Sequence, residues 1–238
     1  MDQSLGDSTI VEDYTRLLSL AVHEFRTPVS VVNGYLRMLL TFSEPPLGEK
    51  QKKMVEEAEK SCARLVSLIA ELGEVAKLDS GTAAAKTQDF DLFRVVADVA
   101  GSVQEGRDRD VQFEVRGEAA GAALRGDLDR LRNAFLACFR AIAREQIQAV
   151  TVVADRKHVS HRGIDSAVIV VTAEENLQRA YDAAPGPFDE KRGGLGLALP
   201  IARRVIERHG GRLSSPAEAG PPALIIRLPL SGPTESST

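Results

Sequence analysis

Between Tyr14 and Leu39 apolar residues fall on an unbroken heptad seam: Tyr14, Leu18, Ala21, Phe25, Pro28, Val32, Tyr35 and Leu39, in steps of four and three. Such a repeat commits the stretch to a long helix whose apolar stripe must meet another helix. The segment SEPPLGEK (residues 43–50), with two prolines and a glycine, then breaks it. A second seam follows: Val55, Ala58, Cys62, Leu65, Ile69, Leu72 and Ala76, widened by Leu68 and Val75. It stops at LDSG, where Gly81 is placed to cap the helix. At ~1.5 Å per residue each helix is about 40 Å long. Two such helices make a hairpin too thin to bury both stripes. A second copy is therefore expected, giving a dimeric four-helix bundle.

Past residue 80 the pattern becomes mixed. GTAAAKTQD is small and polar and reads as a linker over residues 81–88. Helical periodicity is predicted for residues 93–103, 127–144 and 195–208. Alternating or β-branched runs at 111–115, 149–154, 167–172, 212–214 and 223–228 read as strands. Short connections between strand pairs favour an α/β sandwich, one sheet with helices on one face. The fold class predicted is α+β, a helical hairpin followed by this sandwich. The expected divisions are a flexible lead (1–12), the hairpin (13–80), the linker (81–88), the sandwich (89–230) and a disordered tail (231–238).

Charge and composition remove several functions. Lys and Arg number 30 against 34 Asp and Glu, a net of −4, which argues against a nucleic-acid partner. Tryptophan is absent, so stacking platforms for single strands are not expected. Two cysteines, Cys62 and Cys138, each inside an apolar helical pattern, suit a core in a reducing compartment. His158 and His161 lack the further ligands a zinc site needs, and no metal site is expected. No apolar run approaches the ~20 residues of a membrane span, so no direct membrane insertion is expected and a cytoplasmic location is the default.

The densest local signal is HEFRTP, residues 23–28. His23 lies two residues past the seam position Ala21 and so projects to solvent. Thr27, one turn on, shares its face, and Glu24 is adjacent. A carboxylate accepting the Nδ1 proton fixes the imidazole tautomer and leaves Nε2 free to attack an electrophile. Arg26 stands where phosphoryl oxygens would arrive. Pro28 has no N–H for the Glu24 carbonyl and clashes with it, so a bent or loosened helix is expected there. These residues resemble the H box of two-component sensor histidine kinases, His-Glu-x-x-Thr-Pro, on the first helix of the dimerisation and phosphotransfer domain. ELGEVAKLDSG (residues 71–81) resembles the usual end of that domain's second helix. The resemblance implies a homodimer in which His23 is phosphorylated at Nε2, Glu24 acts as base, and Thr27 helps position water during dephosphorylation of the partner. That partner is implied to be a response-regulator receiver domain, which exchanges the group through an Asp.

GGLGLALPIARRVIERHGG (residues 193–211) is the second signal. A glycine-rich turn opening a helix aims backbone N–H groups at an anion. It resembles the second glycine box of the family's ATP-binding domain. By that resemblance Gly193, Gly194, Leu195, Gly196 and Leu197 are candidate cofactor-binding residues for ATP with Mg²⁺. Phe188 corresponds to a lid phenylalanine, and His209, near a helix end where positive charge is welcome, reads as structural.

Elsewhere the family pattern is broken. The helix at 127–144 resembles the N-box helix, but alanines, Ala137 and Ala141, occupy the expected asparagine positions, and alanine offers no oxygen to a hard cation. Ala173 stands where the family carries the adenine-reading Asp of its first glycine box, and both glycines of that box are absent. ATP binding is therefore predicted to be weak or absent. Two readings follow: a histidine kinase passing phosphoryl groups from ATP through His23 to a receiver, or an ATP-independent phosphotransfer hub, receiver phosphatase or dimeric scaffold.

Overall fold

The structure, a computed structural model, describes residues 3–161, 163–217 and 221–230, with side chains described from residue 14. The tail expected to be disordered, 231–238, lies outside the described residues. The chain divides into two compact units, residues 1–83 and 84–238.

The first unit is a hairpin of helices α1 (Gln3–Phe42) and α2 (Glu49–Asp79). The first helix starts at Gln3, inside the segment expected to be a flexible lead. Pro28 does not end it: the helix runs on to Phe42. The second helix ends as its sequence predicts. Gly81 takes φ +73°, its N–H donates to the Leu78 carbonyl (3.3 Å), and Ala83 N–H returns to Lys77 (3.1 Å).

The face of α1 turned into the hairpin carries Thr15, Leu18, Val22, Val29, Leu36 and Leu40. This stripe lies beside the heptad seam, of whose positions only Leu18 and Ala21 are half-buried. On the seam itself Tyr14, Phe25, Val32, Tyr35 and Leu39 stay 58%, 55%, 51%, 64% and 46% exposed. Arg37 Nε donates to Glu59 Oε1 (3.2 Å) across the hairpin, and Cys62 Sγ donates to the Val29 carbonyl (3.4 Å).

The second unit adds β1 (Thr87–Asp91), α3 (Leu92–Ser102), β2 (Val111–Gly117), β3 (Ala123–Asp127), α4 (Leu128–Glu145), β4 (Val150–His161), β5 (Ile164–Ala173), α5 (Leu177–Asp182), β6 (Pro185–Gly186), α6 (Ala198–Arg208), β7 (Arg212–Pro216) and β8 (Ala223–Pro229). Six strands form a sheet in the order β2-β4-β5-β8-β7-β6, with β2 parallel to β4 and the other pairs antiparallel. Strands β1 and β3 pair separately as a ribbon. That ribbon takes up the end of the expected linker, because Thr87 already pairs with Asp127. It also supplies two helix caps. Asp91, ending β1, accepts from the Phe93 and Arg94 N–H groups (2.9 and 3.3 Å) at the start of α3. Asp127, ending β3, accepts from Arg130 N–H (3.1 Å) at the start of α4.

Cross-strand partners share a face, so register sorts the sheet's side chains. Ala154, Val171 and Leu224 lie on one face, with Ile169, Ile226 and Leu228. Here Arg156 Nη1 donates to the Phe93 carbonyl of α3 (2.7 Å), and Phe113 stacks on Phe139 of α4 at 5.9 Å. Fully buried Phe135, Ile142, Leu199 and Ile206 from α4 and α6 complete this core. The opposite face is not bare, which corrects the expectation of helices on one face only. Val168, Val170 and Ala223 on that face pack against Ala180, Leu177 and Tyr181 of α5. Tyr181 Oη donates to Asp155 Oδ2 (2.5 Å); burial and that carboxylate hold the phenol well above its ordinary range.

Candidate functional site

His23 stands on α1 with its side chain 77% exposed. Its Nδ1 lies 3.3 Å from Glu24 Oε1, which is within reach of an Nδ1–H···O bond. That tautomer leaves the Nε2 lone pair facing solvent. Thr27 and Arg26 are exposed on the following turn. Val22, immediately before His23, is buried, and it meets α2 at Gly73, where an added Cβ would come within 3.3 Å of Val22 Cγ1. Gly73 thus sets how closely the second helix approaches beneath His23. Sequence reasoning missed it; a lone glycine inside the second seam was the only available signal.

The glycine segment lies in the second unit. Gly193, Gly194 and Gly196 take φ of +61°, +59° and +66°, a region that favours glycine. Helix α6 begins at Ala198 with Leu197 before it and no side chain capping its first N–H groups. Gly194 faces open space, but Gly193 does not: a Cβ there would fall 2.7 Å from the Ala141 Cα. The glycine turn therefore rests on the backbone of α4 where the resemblance calls for a metal-holding amide. Ala137, Ala141 and Ala173 are all buried. Glu174, next to Ala173, is turned away. Its carboxylate accepts from Arg116 Nη2 (2.5 Å), and Arg116 lies on the face that carries Asp155.

Three other sequence candidates resolve into structural roles. His209 is held at both nitrogens: Nδ1 lies 2.7 Å from the Val205 carbonyl, and Nε2 accepts from Asp127 N–H at 3.0 Å. It serves as a structural bridge between the end of α6 and the end of β3. His158 and His161 sit three apart on one strand, so they face opposite sides of the sheet. Among the described residues no group of three or more His, Cys, Asp or Glu could hold a metal ion. Burial pushes the Cys138 thiol up to about 12, opposed by the Arg192 guanidinium, so it stays protonated at neutral pH. A cavity of about 410 Å³ between the end of α3 and the start of β2 is lined by Val103, Arg107, Asp110 and Phe113, and by none of the residues above.

Residues 14–81 match the His Kinase A (phospho-acceptor) domain, which puts His23 on the first helix of the matched segment. The circadian input-output histidine kinase CikA of Synechococcus elongatus is 24% identical over 211 residues, 85% of this chain and 28% of CikA. Along most of its length the chain is similar to two-component histidine kinases. The fold agrees over nearly its whole length. The structure of full-length ShkA in complex with AMPPNP superposes with a TM-score of 0.67 at 20% identity, covering 91% of this chain and 46% of that one. The histidine kinase ThkA, in complex with the response regulator TrrA, superposes at 0.53 with 17% identity, covering 91% and 61%. The chain spans less than half the length of the curated relatives it matches. No helix among its described residues is long and apolar enough to cross a membrane.

Proposed function

We propose that this chain is a phosphotransfer protein in which His23 carries a phosphoryl group to or from an aspartate on a response-regulator receiver domain. The observation that carries the reading is the exposed His23 imidazole with Glu24 at its Nδ1, on the phospho-acceptor helix. The Nε2 lone pair attacks the phosphorus of the receiver's acyl phosphate. A P–N bond forms, the P–O bond to the aspartate breaks, and the carboxylate leaves. Positive charge developing on the ring is balanced by the Nδ1 proton moving toward Glu24. Thr27, one turn along, orients water for a separate reaction, hydrolysis of the receiver's acyl phosphate to the free carboxylate and inorganic phosphate. The complex of ThkA with its response regulator supports a partner of this class.

Binding of ATP with Mg²⁺ is proposed to be weak or absent. AMPPNP in the ShkA complex shows that a protein of this fold takes such a nucleotide. Against a fit here stand Ala137 and Ala141, which give no oxygen to a cation, Ala173, which gives no acceptor for an adenine amino group, and Gly193, whose backbone meets Ala141. A hydrogen bond to a charged group is worth about 1.5–3 kcal/mol, so one missing contact costs about one to two decades of affinity. The family's alternative, a kinase charging His23 from ATP, retains the glycine turn in its favour.

One experiment separates the two. The purified chain is exposed either to labelled Mg·ATP or to a phosphorylated receiver domain. The expected result is label on His23 from the receiver only, acid-labile and alkali-stable, and lost in His23→Ala. Robust label from ATP within minutes overturns the ATP-independent reading, and label retained in His23→Ala overturns the assignment of the carrier.

A further inference from the structure

Arg192 directly precedes the glycine pair, yet its side chain is only 9% exposed. Its Nε donates to Glu145 Oε1 (2.8 Å) and its Nη2 to Oε2 (2.5 Å), so both carboxylate oxygens are engaged. Its Nη1 donates to the Ala223 carbonyl (2.8 Å) and lies 3.5 Å from Ser215 Oγ. One guanidinium thus ties the last turn of α4 to β7 and β8. Only a planar fork makes all these bonds at once; a lysine ammonium could not. The next residue, Gly193, lies against Ala141, and its carbonyl is 3.5 Å from Arg144 Nη1. The glycine turn is therefore held on α4 on both sides.

We propose that Arg192 and Glu145 form a clasp that keeps the glycine turn shut on α4, an autoinhibitory contact that bars anions from the amides of residues 193–197. A turn that cradles phosphate needs space between its amides and the neighbouring helix. Here Gly193 lies close against Ala141, and the Arg192 guanidinium, the nearest cation to the turn by sequence, is committed to Glu145 instead of to an anion. The proposal rests on the reading that nucleotide use is weak or absent, and gives that reading a removable cause. Taking away one partner of a buried ion pair leaves the other uncompensated. The turn should then open, because the sheet keeps its own ladder of hydrogen bonds.

The test is hydrogen exchange read by mass spectrometry on the full chain, in the wild type, Glu145→Gln and Arg192→Lys, with a titration of a fluorescent ATP analogue lacking Mg²⁺. Exchange over residues 190–197 should rise at least about tenfold in both variants, while β4 and β5 stay unchanged and the analogue binds more tightly than to the wild type. Unchanged exchange at 190–197, or a rise spread equally through the sheet, overturns the clasp. Opening without any gain in analogue binding overturns its autoinhibitory role. Tight Mg·ATP binding by the wild type overturns both the clasp and the reading beneath it; it is measured on the wild type alone, so the two failures are distinct.

Discussion

Two histidines in this chain show how surroundings decide what one side chain does. At His23 a single ring nitrogen is near a partner, Glu24 Oε1, and the other is left to solvent, the arrangement a nucleophile needs. At His209 both nitrogens are consumed. Nδ1 must carry the proton to donate to the Val205 carbonyl, because Nε2 is accepting from Asp127 N–H. The ring also fills the space above Gly126, where an added Cβ would fall 2.5 Å from it. Replacing His209 with leucine strips the Asp127 N–H of its acceptor just where Asp127 caps α4. A buried donor left unsatisfied costs about 1–3 kcal/mol. The expected outcome is a urea midpoint for the second unit lowered accordingly, with the slope unchanged; a midpoint equal to wild type would show that the bridge carries no stability.

At the scale of elements, the α1–α2 hairpin depends on close approach at Gly73. An added Cβ there already comes within 3.3 Å of Val22 Cγ1, next to His23, so a larger side chain must push Val22 or the helix aside. Gly73→Leu should lower the melting temperature of the hairpin, since overpacking a filled site costs about 1–3 kcal/mol. It should also slow receiver-to-His23 transfer while His23 itself is intact; normal stability and normal transfer together would refute the packing argument. That contact could not be read from the sequence, and the reason is general to this chain. Helices α1, α2, α4 and α6 announce themselves by period, and strands β4 and β5 by runs of β-branched residues that suit strands buried on both faces. Strands β1 and β3 do not. TQDFD and ALRGD are mostly polar, and only Phe90 opposite Leu124 gives them an apolar pair, visible once the two are aligned. Helix α5 is six residues long, too short to show a period. The site divides in the same way. HEFRTP is contiguous and was legible as a unit, as was GGLGL. The Arg192–Glu145 pair joins residues 47 apart and exists only in the fold.

At the scale of the whole molecule, the two units separate the two chemistries. The histidine belongs to residues 1–83 and the glycine turn to 84–238. On the proposed reading, a second unit that uses no nucleotide leaves the residues proposed for transfer, on the first unit, in place. What the first unit lacks is cover. Its hairpin buries Val22 and half-buries Leu18, Val29 and Leu36, yet leaves Tyr14, Phe25, Val32, Tyr35 and Leu39 open along one heptad line. A line of that length and spacing matches the knobs of a helix-to-helix seam. A second copy presenting the same stripe covers it with two-fold symmetry. Burying each large apolar side chain is worth roughly 1.5–3 kcal/mol, so two charges placed on the line should abolish the assembly. Tyr35→Asp with Leu39→Asp is the suitable variant: both residues lie one or more turns beyond the HEFRTP segment and outside the buried face of the hairpin. Light scattering at micromolar concentration should give a dimer for the wild type and a monomer for the double variant, with helix content by circular dichroism preserved in both. A monomeric wild type would refute the dimer. A double variant that stays dimeric would place the interface on another surface.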